Sequence, residues 1–229
     1  MTTVLVLLPG MDGTGRMFAP LLARLPATLD ARPIAYPCDR ELGYAELLGL
    51  VRQQLPRGDF FVLAESFSGP LALRLAGERP RGLCGLILAA SFAASPLAWL
   101  PRWSHGLAHA RLFGGLGMGP RLALGLGRCP PAITPMLRDA LALVSPAVMA
   151  RRAREVLRCE APLNREALAE LPALLLGAER DRLIGRRHVG ALQALLPRAQ
   201  VEWFDAPHLL LQARPDEAAE KIAAWIGRS

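Results

Sequence analysis

The sequence predicts one α/β domain built on a mostly parallel sheet of about six strands, with helices on both faces. Short apolar runs alternate with longer segments whose apolar residues recur at helical spacing, and this alternation is typical of such a sheet. The chain has 229 residues, of which 52% are hydrophobic, so it can bury a sizeable core in a single unit. In domains of this class, ligands bind where the parallel strands end.

Six runs have the composition of strands. They cover residues 3–8, 32–36, 60–64, 84–89, 171–176 and 200–204. Helical spacing of apolar residues predicts helices between them, at residues 18–25, 44–55, 70–77, 188–196 and 215–226. The loops that follow the first, third, fifth and sixth strands should therefore meet at one edge of the sheet.

The alternation is interrupted between residues 95 and 162, where no convincing strand pattern is found. The stretch is rich in leucine, proline and glycine, and its large apolar side chains include Trp99, Trp103, Phe113, Met118, Met136 and Met149. We interpret residues 95–162 as a helical cap inserted into a core formed by residues 1–94 and 163–229. Its side chains would shape a substrate pocket, and packing between helices is the alternative interpretation. Residues 114–119 are too rich in glycine for a helix interior and predict a hinge or bend.

A serine at the end of the third predicted strand has the setting of a nucleophile. Ser66 precedes a helix-forming stretch, and small residues, Ala64 and Ser68, stand two positions to either side of it. A sharp strand-to-helix turn strains the residue at the bend, exposes its hydroxyl and needs small neighbours. The helix that begins at Phe67 directs N–H groups and the positive end of its dipole to the same place. An ordinary strand-to-helix turn is the alternative, because the motif is A-x-S-x-S and not G-x-S-x-G.

The order of residues further along the chain favours the nucleophile. A serine nucleophile needs a histidine that accepts its proton and a carboxylate that orients the histidine. Asp181 follows the fifth predicted strand and His208 follows the sixth, which gives the order Ser, acid, His. The remaining histidines lack such a setting: His105, His109 and His188. Two further carboxylates are reserve candidates for the acid: Glu179 and Asp205.

Four motifs in this order resemble the α/β-hydrolase superfamily. They are Pro9-Gly10-Met11-Asp12-Gly13, Ala64-Glu65-Ser66-Phe67-Ser68-Gly69, Gly177-x-x-x-Asp181 and Pro207-His208. More narrowly, the chain resembles small bacterial serine carboxylesterases and methyl ester hydrolases over nearly its whole length. It departs from the family pattern in two respects: Pro9 stands where a histidine is common, and Ala64 and Ser68 stand where glycines are common.

The resemblance implies an oxyanion hole and a reaction. The N–H groups of Met11 and Phe67 would hold the negative charge that develops on the substrate carbonyl oxygen, and Gly10 would let the backbone approach closely. A flexible glycine-rich turn is the alternative for residues 10–15. The implied reaction is cleavage of a small-molecule carboxylic ester by the Ser-His-Asp triad through an acyl-enzyme, without metal or organic cofactor.

Other functions stay open at this point. An acyl thioesterase acting on CoA or carrier-protein thioesters would use the same machinery, and a basic surface would suit an acidic acyl carrier protein. A non-catalytic binding module on the same fold is a third reading. A dinucleotide-binding turn is disfavoured, because the spacing of Gly10, Gly13 and Gly15 departs from G-x-G-x-x-G and no acidic residue closes the second strand.

Charge and cysteine content bound the partners. The formal charge of +7 comes almost wholly from arginine, and the one cluster is interpreted as a solvated helix face: Arg151, Arg152, Arg154 and Arg158. We therefore expect no nucleic-acid partner. Four scattered cysteines without a C-x-x-C pair argue against a zinc site. No apolar run reaches the ~20 residues of a membrane span, and the N-terminus lacks a basic leader, so we expect a cytoplasmic protein.

Overall fold

The computed structural model describes residues 2–98, 130–160 and 164–228. Within these ranges the strands form one sheet: β1 (Thr3–Leu8), β2 (Leu29–Pro33), β3 (Phe60–Glu65), β4 (Leu83–Ala89), β5 (Ala173–Ala178) and β6 (Ala199–Phe204). Their order across the sheet is β2-β1-β3-β4-β5-β6, and every neighbouring pair is parallel. The predicted α/β class and the sheet of about six strands are confirmed.

Helices connect the strands. In the described ranges they are α1 (Ala19–Leu22), α2 (Tyr44–Gln53), α3 (Gly69–Gly77), α4 (Thr134–Ala142), α5 (Pro146–Leu157), α6 (Arg165–Ala169), α7 (Arg186–Leu195), α8 (Leu210–Ala213) and α9 (Pro215–Ile226). Single 3-10 turns precede α1 and α3, at Arg16–Phe18 and Ser66–Ser68. Helix α1 is shorter than predicted, whereas α9 has the predicted limits.

Alternate residues of the strands divide the core between the two faces of the sheet. Val6 and Leu8 of β1 pack with α2, α3 and α7 in one buried cluster, while Leu5 and Leu7 pack with α1 and α9 in another. A third cluster joins α4 and α5 to the turn before α1 and to the loop after β6. The sheet is therefore covered on both faces, as its continuous apolar strands require.

Strand β2 begins earlier than predicted, because it occupies Leu29–Pro33 and not residues 32–36. It is one of the two edge strands and is only partly buried. It carries Asp30 and Arg32, and Arg32 Nε donates to Asp30 Oδ2 at 2.8 Å. Its first half therefore lacks the apolar run that is typical of a strand. Tyr36, which was assigned to the strand, is a buried residue of the following loop.

Between β4 and β5 the described elements are the helices α4, α5 and α6, and a single antiparallel bridge pairs Ala94 with Glu160. The division into a core of residues 1–94 and 163–229 and a cap of residues 95–162 stays a proposal. Several residues on which it drew lie outside the described ranges: Trp99, Trp103, Phe113, Met118, the glycine-rich residues 114–119, His105 and His109. No helix within the described ranges is long and apolar enough to cross a membrane.

Candidate active site

Ser66 lies at a strained turn between β3 and α3. Its φ is +47°, in the left-handed region that residues with a side chain rarely adopt. The Ser91 hydroxyl donates to the Ser66 carbonyl oxygen at 2.8 Å and holds this peptide in place. Gly69 makes room for that contact, since a Cβ at this position would lie 1.7 Å from Ser91 Oγ. The sharp turn that the sequence pattern predicted at Ser66 is present. The position at which a side chain would clash is Gly69, which lies against Ser91.

Three distant residues form one hydrogen-bonded chain at this turn. Ser66 Oγ lies 2.8 Å from His208 Nε2, and His208 Nδ1 lies 2.6 Å from Asp181 Oδ2. The side chains of His208 and Asp181 are 3% and 0% exposed, so water is excluded from the pair. When Nδ1–H donates to the carboxylate, Nε2 is left to accept the serine proton, and this tautomer is the one that a general base needs.

The loop after β5 orients the Asp181 carboxylate with its own backbone. The N–H groups of Leu183 and Ile184 donate to Asp181 Oδ1 at 2.8 and 2.9 Å. One carboxylate oxygen is thus fixed by neighbours two and three residues away. The other oxygen remains for His208.

The two reserve carboxylates lie at the surface. Glu179 is 3.5 Å from Arg186, and Asp205 is 2.8 Å from Arg180. Their side chains are 48% and 64% exposed, so both make ordinary surface ion pairs. Within the described ranges, no group of three or more His, Cys, Asp or Glu side chains is arranged to hold a metal ion.

The loop after β1, residues 9–13, has a hydrogen bond to every backbone carbonyl. The bonds are Ser68 Oγ to Pro9 O, Gly13 N to Gly10 O (3.0 Å), Arg152 Nη1 to Met11 O (2.9 Å) and to Asp12 O (2.7 Å), and Tyr36 N to Gly13 O (2.7 Å). The N–H of Met11 shares its peptide plane with the Gly10 carbonyl, so the bond from Gly13 sets the direction of that N–H. The loop is held rather than flexible, which disfavours the alternative of a mobile glycine turn.

Phe67, the other residue predicted at the oxyanion hole, is equally constrained. Its ring stacks on that of Tyr44 with the centroids 4.9 Å apart, and its carbonyl accepts a hydrogen bond from the Tyr44 hydroxyl at 2.8 Å. Both aromatic residues are buried. The backbone at the first turn after Ser66 is therefore fixed from the side of α2.

Arg152 of α5 is buried, and the prediction of a solvated arginine face is wrong for this residue. Its side chain is 1% exposed, and Nη2 donates to the Pro37 carbonyl at 3.0 Å in addition to the two bonds from Nη1. Its guanidinium also lies 5.8 Å from the centroid of the Tyr36 ring. Burial lowers the pKa of Arg152 below its ordinary value, but an arginine side chain stays protonated in proteins.

Glu65, next to Ser66, is a buried acid that the sequence analysis did not use. It is 3% exposed, and its Oε1 accepts a hydrogen bond from Gln212 of α8 at 2.9 Å. Removal from water raises the pKa of Glu65 to about 7, with a further contribution from Asp12, while Gln212 and His208 act in the opposite direction. This carboxyl group therefore titrates near neutral pH beside Ser66.

Two signals in the sequence pointed to these missed residues. Glu65 is a charged residue that ends an otherwise apolar run. Arg152 stands four residues after Val148 and four before Val156, which places it on the buried stripe of α5 and not on the solvated face. A charged residue inside an apolar pattern is a candidate for a specific buried contact.

A family model matches most of the chain. A sequence model of the Hydrolase_4 family, described as "Serine aminopeptidase, S33", matches residues 43–217. This range contains Ser66, Asp181 and His208. A comparison with the curated proteins found no match.

Solved structures share the fold over the whole chain. MenH from S. aureus superposes with a TM-score of 0.78 at 18% identity, covering 100% of this chain and 95% of that one. The enol-lactonase from Burkholderia xenovorans LB400 gives 0.77 at 16% identity, with 99% and 92% covered. The esterase EaEST from Exiguobacterium antarcticum gives 0.79 at 15% identity, with 98% and 92% covered. At these identities the likeness shows the fold alone.

Proposed function

The chain belongs to the Hydrolase_4 (serine aminopeptidase, S33) family of α/β-hydrolases, and from that premise we propose that it cleaves carboxylic esters through an acyl-enzyme on Ser66. The observation that carries the proposal is the chain of hydrogen bonds from Ser66 through His208 to Asp181. A buried chain of this kind gives serine a base and orients that base.

The first half-reaction acylates the serine. His208 Nε2 takes the proton of Ser66 Oγ as this oxygen attacks the ester carbonyl carbon, and the carbonyl oxygen becomes an oxyanion. The N–H groups of Met11 and Phe67 donate to that oxyanion. The tetrahedral intermediate then breaks its bond to the alkoxy oxygen, which leaves as alcohol with the proton from His208.

The second half-reaction releases the acid. His208 removes a proton from water, the hydroxide oxygen bonds to the acyl carbon, and the second tetrahedral intermediate expels Ser66 Oγ, which recovers its proton from His208. Asp181 keeps the imidazole oriented and stabilises its positive charge in both steps. No group other than these side chains, the two N–H donors and water takes part.

In the proposed enzyme, residues 95–162 form a cap that shapes the pocket for the alcohol or the acyl group. This part of the proposal is supported by the third hydrophobic cluster, which contains α4 and α5. Met149 of α5 and Leu137 of α4 are buried in that cluster together with Met17 and Leu209, which flank the loops after β1 and β6. Met11 packs against the same cluster. Leu137→Ala should therefore shift the preferred acyl chain length in a panel of p-nitrophenyl esters. An unchanged preference would mean that Leu137 does not shape the acyl pocket.

Labelling with a fluorophosphonate, followed by mass mapping of the adduct, tests the enzyme against a non-catalytic binding module. We expect one adduct on Ser66 of the wild type and none on Ser66→Ala, while Ser95→Ala serves as the matched control and labels normally. A wild-type protein that hydrolyses no ester and carries no adduct would support the binding module.

A substrate panel then separates the classes of hydrolase. The p-nitrophenyl esters, CoA thioesters and p-nitroanilides of one and the same acyl group differ only in the leaving group, so their kcat/KM values compare the same acyl pocket. We expect the esters to be cleaved fastest. A preference for thioesters would favour the thioesterase with an acidic carrier protein or CoA as partner, and a preference for anilides would favour the peptidase activity in the family's description.

A further inference from the structure

We propose that Arg152 is a positioning residue for the oxyanion hole: its guanidinium, delivered by α5, holds the carbonyls of Met11 and Asp12 and thereby keeps the Met11 N–H directed at the reacting carbonyl oxygen. The inference rests on the proposed ester hydrolysis. It assigns a catalytic consequence to a side chain that does not touch the substrate.

The hydrogen bonds of Arg152 connect two loops at the carboxyl edge of the sheet. Nη1 donates to Met11 O and Asp12 O, at 2.9 and 2.7 Å, in the loop after β1. Nη2 donates to Pro37 O, at 3.0 Å, in the loop after β2. Two successive peptide planes of the β1 loop are therefore fixed by one planar side chain. The second of these planes contains the Gly13 N–H, which donates to Gly10 O at 3.0 Å and so sets the direction of the Met11 N–H.

A buried arginine without a carboxylate partner needs a specific reason. Within the described ranges no carboxylate forms an ion pair with Arg152. The charge of the nearby Asp12 favours the protonated guanidinium, but the hydrogen bonds to that carboxylate come from Thr14, whose N–H and hydroxyl donate to it at 2.9 and 2.6 Å. Removing a cation from water is costly, and an apolar residue at position 152 would continue the buried stripe of α5 at no such cost. The hydrogen bonds from Arg152 to the backbone carbonyls of the two loops offset this cost.

Gly13 is shaped to receive the guanidinium. Its φ is +69°, and a Cβ at this position would lie 2.5 Å from Arg152 Nη1 and 2.7 Å from Nη2. The glycine therefore permits both the turn and the approach of the arginine. The shape of the loop at Gly13 therefore matches the position of the Arg152 guanidinium.

Helix α5 is itself anchored to the core at two further points. Glu155 Oε2 accepts a hydrogen bond from the Tyr44 N–H at 3.1 Å, at the first turn of α2. The N–H of Ser145, the N-cap of α5, donates to the Cys38 carbonyl at 2.9 Å. Arg152 therefore reaches the loop from a helix that is fixed to the core, and a displacement of α5 would move the Arg152 guanidinium relative to the Met11 carbonyl.

The test compares Arg152→Gln and Arg152→Lys with Arg158→Gln, an exposed arginine at the end of the same helix. Each purified protein is assayed for kcat and KM on the best p-nitrophenyl ester and for inhibition by a trifluoromethyl ketone, whose adduct with Ser66 places an oxyanion in the hole. For Arg152→Gln we expect kcat to fall about 100-fold with KM little changed, and the inhibition constant to rise by a similar factor. Arg152→Lys should be intermediate, and Arg158→Gln should match the wild type.

A merely structural role would give a different pattern. It would lower the melting temperature while leaving kcat per folded molecule and the affinity for the ketone unchanged, and that result would overturn the inference. Should Arg152→Gln not fold, Arg152→Lys keeps the positive charge but loses the planar fork, and it must show a fall in both kcat and ketone affinity relative to Arg158→Gln. A wild type that neither hydrolyses esters nor labels at Ser66 overturns the proposed function itself, which the variants alone cannot do.

Discussion

The two loops that flank Ser66 are held by different kinds of contact. Asp181, after β5, is oriented by the N–H groups of Leu183 and Ile184, two and three positions along the chain. The loop after β1 has one local bond, from the Gly13 N–H to Gly10 O, and its other carbonyls accept from Ser68, Tyr36 and Arg152. Arg152 is 141 residues from the Met11 carbonyl that it binds. One side of the site is encoded locally and the other side is assembled from the whole fold.

This difference teaches which part of the site tolerates change. A locally held acid depends on a short stretch of sequence and survives rearrangement elsewhere. A loop held by remote side chains depends on the docking of α5, on the loop after β2 and on the strained turn at once. We therefore expect mutations on the Asp181 side to alter chemistry with little loss of stability, and mutations on the β1 side to alter both.

The largest effect is expected for Asp181→Asn. The amide oxygen can still accept from the backbone N–H groups, so the loop should keep its shape and the melting temperature should change little. The amide NH2 facing His208 Nδ1 would favour the wrong imidazole tautomer, and kcat should fall on the order of 10⁴-fold. Steady-state kinetics with thermal unfolding check this, and a rate near that of the wild type would move the orienting role to another carboxylate.

Glu65 lies between the two sides, and its replacement by glutamine should change the pH dependence of stability. Because burial raises the pKa of Glu65 to about 7, the folded state binds the proton more tightly than the unfolded chain. Its stabilisation is complete below the ordinary pKa of glutamate and is lost as the pH rises through 7. This loss amounts to about 3 kcal/mol, and Glu65→Gln should not show it.

Urea unfolding of the wild type and Glu65→Gln, measured from pH 4.5 to pH 8, provides the comparison. Titrating groups that do not interact with Glu65 contribute equally to both proteins and cancel in the difference between the two curves. The variant should gain stability relative to the wild type as the pH rises. Parallel curves would mean that Glu65 is ionised throughout this range.

A smaller effect is expected for Ser68→Ala on the β1 side. Ser68 donates to Pro9 O and accepts from the Tyr36 hydroxyl, with 2.6 Å between the two oxygens of the latter pair, so alanine leaves two buried polar groups without this partner. We expect about 2 kcal/mol of lost stability and a kcat about 10-fold lower. Tyr36→Phe keeps the bond to Pro9 and should lose stability without losing kcat, so equal kinetic losses in both variants would contradict the assignment.

The smallest effects are expected for the two exposed carboxylates, Asp205 and Glu179. Asp205→Asn removes surface ion pairs with Arg180 and Arg214, and Glu179→Gln removes one with Arg186. For each variant the stability should change by less than about 0.5 kcal/mol. Ester turnover should remain within about 2-fold of the wild type. A loss comparable to that of Asp181→Asn would identify the altered residue as the orienting acid instead.

The sequence was sufficient for the features that depend on local pattern. Apolar runs gave five of the six strands nearly in place, and the small residues around Ser66 gave the turn. Strand β2 was misplaced because an edge strand needs no apolar face on its exposed side, and Asp30 and Arg32 interrupt the pattern. The order of motifs also gave the three residues that the fold brings into one hydrogen-bonded chain.

The sequence was insufficient for contacts that form only on folding. Arg152 was assigned to a solvated face with its arginine neighbours, because charge is a local property and burial is not. Its binding to the β1 loop depends on the angle at which α5 docks, which no window of sequence contains. The same holds for Glu65, whose raised pKa comes first from its burial in the folded protein and then from the neighbouring Asp12.

The three carbonyl contacts of Arg152 limit how freely this scaffold could be recombined. A chimera that exchanged the segment between β4 and β5 for that of a relative would strip Met11, Asp12 and Pro37 of their donor at the same time. New specificity could be grafted onto this protein only if the incoming segment carried an arginine at the matching helical position. Changes to the segment between β4 and β5 and the geometry of the loop after β1 are therefore a single design problem.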